Sequence, residues 1–155
     1  KKFELTENFK INAFGVKLFQ IKAVRSFASI SEGELGGYVE KEKNLDHDGN
    51  AWVYVNAEVY GDAWVSGDAR AGDARASGNA RVYGDARVSG NARVYGNAWV
   101  SGDARVSGNA RVYGNAEVYG DARVSGNARV SGDADYLLFR GFGSANRVTT
   151  AFKTK

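Results

Sequence analysis

The chain has no cysteine, no proline, no methionine and a single histidine. Without cysteine there is no disulfide framework, no thiolate nucleophile and no thiolate metal site, a composition that suits a reducing compartment. One histidine without cysteine also excludes a three-histidine zinc centre. No apolar run approaches the roughly 18 residues of a membrane-spanning helix. No charged-then-apolar leader opens the sequence. The expectation is a cytoplasmic protein without a membrane segment. The lack of an initiating methionine points to a processed or trimmed start. Also missing are a glycine-rich phosphate loop after a strand, a Ser-His-Asp set and an H-E-x-x-H motif, so no cofactor is expected.

Charge of one sign is missing too. The formal net charge is +3 over 155 residues, which fits one domain with small caps. Residues 1–46 carry 8 Lys/Arg against 7 Asp/Glu, residues 47–135 carry 9 against 11, and residues 136–155 carry 4 against none. The basic excess therefore sits in the tail, and the middle of the chain is slightly acidic. Nucleic-acid binding would have to use Arg140, Arg147, Lys153 and Lys155, and is not expected.

What is present is a repeat. From His47 to Asp135 the chain divides into fifteen units of the form V-[SY]-G-[DN]-A-[RWE]. The fifth slot is alanine throughout, from Ala51 to Ala134, and the fourth is always Asp or Asn. Glycine fills the third slot except at Val55, and valine fills the first except at His47, Ala71 and Ala76. Valine and alanine point inward from an extended segment, and the residues on either side of valine point outward. Gly-Asn or Gly-Asp then turns the chain.

The next period is eighteen. Asp85, Asp103 and Asp121 recur at that interval, as do Tyr95 and Tyr113, and Ser89, Ser107 and Ser125. Three units close one coil, and coils stack at the strand spacing of about 4.8 Å. Five coils would stand about 24 Å tall. A core column of Val and Ala leaves no room for a buried ligand, so function must lie on the outer faces or at the ends.

At V-x-G-[DN]-A-x the chain resembles the hexapeptide repeat of left-handed parallel β-helix proteins, the fold of many acyltransferases. That resemblance implies the left-handed sense. The stretch "GELGGYVEKEKNLDHDGNAWVYVNAEVYGDA" (33–63) is similar to a block in phage- and prophage-encoded hexapeptide-repeat proteins. The tail "FRGFGSANRVTTAFKTK" (139–155) looks like the opening of a C-terminal module of the phage members, which implies that the chain continues further in them. The expected fold is thus all-β: a left-handed parallel β-helix of about five coils between β-rich ends. Residues 1–46 read as a β-rich N-terminal cap with a turn near Asn12–Gly15. Residues 47–135 read as the β-helix. Residues 136–155 read as a capping hairpin around Ser144–Ala145 that covers the last coil or pairs with another chain.

One unit, Ala71–Arg75, has five residues instead of six. With it counted as one side of a coil, the outward residues sort into three faces. Face one carries Arg70, Arg87, Arg105 and Arg123. Face two carries Arg75, Arg93, Arg111 and Arg129 beside Tyr60, Ser77, Tyr95 and Tyr113. Face three carries Trp64, Arg81, Trp99 and Glu117 beside Ser66, Tyr83, Ser101 and Tyr119. The arginine ladders are either solvated, with corner acids offsetting their repulsion, or an anion-binding surface of guanidinium forks. On face three, Arg81 is expected against the Trp99 ring, and Ser101 between Tyr83 and Tyr119 leaves a notch. That face is either a contact between subunits or a ligand platform. The short unit is either a tolerated slip or a dent between Arg70 and Arg75 that could receive an anion.

These residues define the candidate sites. Ligand binding is expected at Arg93, Arg111, Tyr95, Tyr113, Arg81, Trp99, Tyr83 and Tyr119, because arginine beside an aromatic ring suits a phosphate joined to a base. The partner would be an anionic small molecule or nucleotide, and the chain itself would form a homo-oligomer, dimer or trimer. His47, in a core slot of the first coil between Asp46 and Asp48, is the one candidate general base; otherwise it is a hydrogen-bonded cap residue. Three functions follow: a non-catalytic binding protein that sequesters a nucleotide signal of host defence, a structural or assembly module, and an acyltransferase.

Overall fold

Inward valine and alanine need a partner surface, and a computed structural model shows them meeting at the axis of a triangular coil. It describes residues 1–132 and the strands Tyr136–Leu138 and Thr150–Phe152. Strands of two or three residues recur from Trp52 to Ser131 and fall into three parallel columns. Face one contains Trp52, Arg70, Arg87, Arg105 and Arg123 in register. Face two contains Glu58, Arg75, Arg93, Arg111 and Arg129. Face three contains Trp64, Arg81, Trp99 and Glu117. The molecule is an all-β parallel β-helix of about five coils.

Each coil donates its amide hydrogens to the carbonyls of the next. Arg93 N–H reaches Ala110 at 2.9 Å and Tyr95 N–H reaches Val112 at 3.0 Å, and the same pattern runs up every face. The side chains inside are fully buried from Ala51 to Ala116, each valine or alanine at 5% exposure or less. Burial of apolar surface drives the stacking, at about 25 cal/mol per Å², and the ladder satisfies the backbone that is buried with it.

Corners are set by glycine. Gly96 has φ +72°, and a Cβ there would lie 3.0 Å from the backbone nitrogen of Gly114 in the next coil. The position needs both the left-handed conformation and the missing side chain. The five-residue unit solves the same problem differently. Its missing residue is taken from the corner between faces one and two, so register is held on both sides: Arg70 pairs with Arg87, and Glu58 with Arg75. Asp73 takes the left-handed conformation at φ +52°, while Gly72 does not and has open space where a Cβ would be. In the coil before it, Val55 fills the glycine slot and Asn56 takes φ +69°. A deletion inside a strand would have turned every following side chain to the wrong face.

The direction of the ladder leaves the first coil with unused carbonyls. The cap supplies their donors. Strands β1 (Phe3–Ile11) and β2 (Lys17–Ala23) form an antiparallel hairpin, and β3 (Leu35–Val39) pairs with β2 and lies parallel to Glu58–Val59. Tyr38 and Glu40 N–H donate to Ala57 and Val59 at 2.9 and 3.0 Å. The Asn44 side-chain amide donates to Gly61 and Ala63 at 3.1 and 2.8 Å, and Asp46 N–H to Val65 at 2.9 Å. Lys2, wholly buried, donates through Nζ to Ala51 at 2.9 Å and to Asp48 and Gly49 at 3.3 and 3.4 Å. All three faces are thereby closed.

One expectation needs correction. His47 does not occupy a core slot. Leu45 bridges Val65 and fills that inward position at 1% exposure, while the His47 side chain remains 31% exposed. An apolar column offers an imidazole no partners, and the cap offers it several. On face two, the Glu58 carboxylate lies within 4 Å of Arg75.

At the C-terminal side, Tyr136–Leu138 pairs antiparallel with Thr150–Phe152, Leu137 opposite Ala151. Arg140, Arg147, Lys153 and Lys155 lie outside the described residues.

Candidate functional site

The eight candidate binding residues separate into two clusters. Arg93, Arg111, Tyr95 and Tyr113 share face two; Arg81, Trp99, Tyr83 and Tyr119 share face three. The corner that carries Asn97 and Asn115 divides them.

On face two, parallel register stacks Arg93 on Arg111 and Arg111 on Arg129. Guanidinium-bearing positions therefore repeat at about 4.8 Å. The rings of Tyr95 and Tyr113 stack with centroids 5.3 Å apart and planes 8° from parallel. Arginine and tyrosine of one strand point to the same side two residues apart, about 6.6 Å.

Corner chemistry distinguishes this face from the others. Face one is preceded by a column of acids, Asp68, Asp85, Asp103 and Asp121. On face two, Arg93 and Arg111 are bordered by asparagine on both sides, while Arg129 has Asn127 before it and Asp133 after it. Asn91 donates to Asn109 and Asn109 to Asn127 at 3.4 and 3.2 Å; on the other corner Asn79 donates to Asn97 and Asn97 to Asn115 at 3.0 and 3.1 Å. Asn97 and Asn109 each give one N–H upward and accept one from below, so the ladders are held without charge. Arg93 and Arg111 thus have no acidic corner residue beside them and, among the described residues, no carboxylate within 4 Å. Charges this close fall within the Debye length of about 10 Å, so the face holds a concentrated positive potential.

Below Arg93 the pattern changes. Arg75 Nε lies 3.2 Å from Glu58, and Lys10 Nζ lies 3.0 Å from the other oxygen of the same carboxylate. Lys10 also sits 4.0 Å over the Tyr38 ring. Glu58 is 7% exposed. This clamp ties β1 to the solenoid, and it occupies the arginine that the proposed dent at residues 71–75 would need. The short unit is a tight corner beside a structural ion cluster.

On face three, the Arg81 guanidinium lies 5.3 Å from the centroid of Trp99, and Tyr83 meets the same ring edge-on at 6.5 Å and 75°. Trp64 and Trp99 are each 38% exposed and Tyr119 is 68% exposed. At the foot of the face, Lys43, Asp62, Trp64 and Arg81 line a surface depression. Lys41 and Lys43 hold Asp62 at 3.0 and 3.2 Å, and their hydrogen bonds keep its carboxyl below the usual range.

His47 stacks on Phe3 at 4.3 Å and 26°. Its Nδ1 accepts the Lys2 amide hydrogen at 3.1 Å, and its Nε2 lies 2.6 Å from Glu42. With Nδ1 accepting, the ring proton is on Nε2 and is given to Glu42. The lone pair that a general base would use is committed to the backbone. Among the described residues no group of three His, Cys, Asp or Glu could hold a metal ion, and no helix is long and apolar enough to cross a membrane.

Sequence reasoning missed Lys2, Glu58 and Trp52. Trp52 stands in the outward column of face one yet is 1% exposed, covered by Phe27 at 5.5 Å. Trp52 and Glu58 stand in the ordinary sixth slot of the first coil and Lys2 lies outside the repeat, so no spacing marks them.

Residues 74–88, 86–102, 104–120 and 122–134 match the family described as the YdcK beta solenoid repeat. Those that the structure describes lie in the solenoid. No curated protein matches the chain. The repeat match and the parallel columns agree on a repeat β-helix protein, a frame compatible with binding or structural roles.

Proposed function

We propose that this protein is a non-catalytic binding module whose face two takes an anionic small molecule, a nucleotide. The observation that carries this reading is the pair Arg93–Arg111, bordered by asparagine on both corners, beside the stacked pair Tyr95–Tyr113. Guanidinium forks at strand spacing donate to phosphate oxygens in pairs, and tyrosine rings one residue pair away offer a base a stacking surface. The likeness of residues 33–63 to phage-encoded proteins gives the reading its concrete form. The ligand is a nucleotide signal of host defence, and the protein acts in the host cytoplasm by sequestering it without turnover.

The test is calorimetric titration of the full chain with linear nucleotides, cyclic nucleotides and acyl-coenzyme A. One class should bind saturably, and R93A/R111A should abolish the heat. Unchanged binding in that double variant would remove face two as the site. A flat response to the whole panel would leave the structural reading, which the exposed aromatic column of face three favours.

A further inference from the structure

Face three differs from the other faces in the order of its residues. Climbing one coil at a time, the position before the core valine reads Arg81, Trp99, Glu117 in parallel register. The position after the valine reads Tyr83, Ser101, Tyr119. Both triplets centre on the same strand. Turned upside down, the first exchanges a cation for an anion, and the second exchanges a tyrosine for a tyrosine.

We infer that face three is a self-complementary docking surface whose occupant is a second copy of this chain, packed antiparallel. The two-fold axis runs in the contact plane along the Trp99–Ser101 strand. It places Arg81 opposite Glu117 of the partner subunit, and the partner's Arg81 opposite Glu117. Trp99 meets the partner's Trp99 at the centre, and each Tyr83 meets Tyr119 of the partner subunit. A two-fold interface repeats every contact, so two ion pairs and two tyrosine pairs flank one indole pair.

Charge complementarity argues for this occupant. Arg81 and Glu117 stand two coils apart, about 9.6 Å, too far to pair within one chain. Neither has an ion-pair partner within 4 Å among the described residues. Arg81 is already held in place over the Trp99 ring at 5.3 Å, which lowers the entropy lost when a carboxylate arrives. Faces one and two do not offer this. An antiparallel pair through either face would set arginine against arginine, and a parallel pair would set arginine against serine or tyrosine, which offer it no charge of opposite sign. A parallel pair through face three would set Arg81 against the partner's Tyr83 and Glu117 against the partner's Tyr119, leaving both charges unpaired. The face is only about five coils, or 24 Å, tall. The contact belongs to the small class of interfaces, and the dimer is accordingly concentration-dependent in the micromolar range. Face two stays free in this dimer, so nucleotide binding and dimerisation fail or succeed separately.

Sedimentation velocity on the full chain, from about 1 to about 300 µM, tests the proposal. Wild type should pass from monomer to dimer. R81E and E117R should each weaken dimerisation on the order of 100-fold, because each sets two like-charge pairs across the axis. The double variant R81E/E117R should dimerise again. So should an equimolar mixture of R81E and E117R, as a heterodimer in which both ion pairs are complete. Both substituted residues, Arg81 and Glu117, are on the surface, and far-ultraviolet circular dichroism verifies that each variant keeps the fold. A monomer throughout the range, a trimer, or a dimer indifferent to R81E would overturn the proposal. So would failure of the mixture to associate.

Discussion

Lys2 Nζ donates at 2.9 Å to the carbonyl oxygen of Ala51, 49 residues away along the chain. That contact, with the longer ones to Asp48 and Gly49, replaces the coil that the first coil lacks below face one. Replacing Lys2 by Met keeps the apolar stem and removes the donor. A buried carbonyl left without a partner costs about 1–3 kcal/mol, so K2M should lower stability in urea by roughly 3 kcal/mol. An unchanged midpoint would mean that water can enter the cap and serve these carbonyls.

The same amine predicts a pH dependence. Burial pushes Lys2 from its ordinary 10.5 down to about 8, against the pull of Asp46. Between those values the unfolded chain holds a proton that the folded chain has lost. Stability therefore rises as pH goes from about 8 to 10.5. Urea midpoints measured across this window should climb in the wild type and stay level in K2M. A neutral amine still donates two hydrogens, so the cap remains closed above pH 8.

Acid acts on the other side of the cap. The Glu42 carboxyl is held below its ordinary value by the hydrogen bond to His47 and then by Lys1. Its contribution is complete above the unfolded value of 4.5 and is lost as pH falls through the folded one. Hydrogen exchange of the Lys2 amide, which His47 accepts, should accelerate relative to solenoid amides below that pH and not above it.

Glu58 joins β1 to the solenoid through Lys10 and Arg75. Glu58→Gln keeps the shape and removes the charge, leaving two cations facing an amide. The expected loss is about 2 kcal/mol, less than for a fully buried pair because both cations are about one-third exposed. Amide exchange should quicken in β1 and β2 before the coils. Uniform quickening would mean that cap and solenoid open as one unit.

Two glycines give opposite expectations. G96A places a Cβ on a left-handed residue and against Gly114, and should cost more than about 1–2 kcal/mol. G72A meets open space without a positive φ and should be neutral or slightly stabilising, by up to about 1 kcal/mol. Thermal midpoints of the two variants decide whether the short corner is as relaxed as its geometry indicates.

The asparagine corners carry the final prediction. N91D/N109D gives face two the acidic border that face one has. The double variant should keep the fold and lose most of any nucleotide affinity, more at low salt than at high. Equal affinity at low salt would show that Arg93 and Arg111 bind by shape and hydrogen bonds, without help from the local field.

Much of this molecule is periodic, and the periodic part was legible. A valine every six residues decides which side faces in, and an eighteen-residue recurrence decides which side chains stack. Arg93 over Arg111 and Arg81 beside Trp99 follow from counting alone. The five-residue unit could be counted as one side of a coil, but its conformation could not be read. Asp73 rather than Gly72 takes the left-handed angle, and that choice depends on the coils above and below.

What only the tertiary structure decided lies where the period stops. Lys2 under Ala51, Leu45 in the place expected for His47, Glu58 between Lys10 and Arg75, and Trp52 beneath Phe27 all join segments from different parts of the chain. A repeat announces itself because each unit solves the same local problem against identical neighbours. The first coil has no neighbour below it, so its unpaired carbonyls and open core are met by single contacts. Each occurs once, and no spacing in the sequence reveals it.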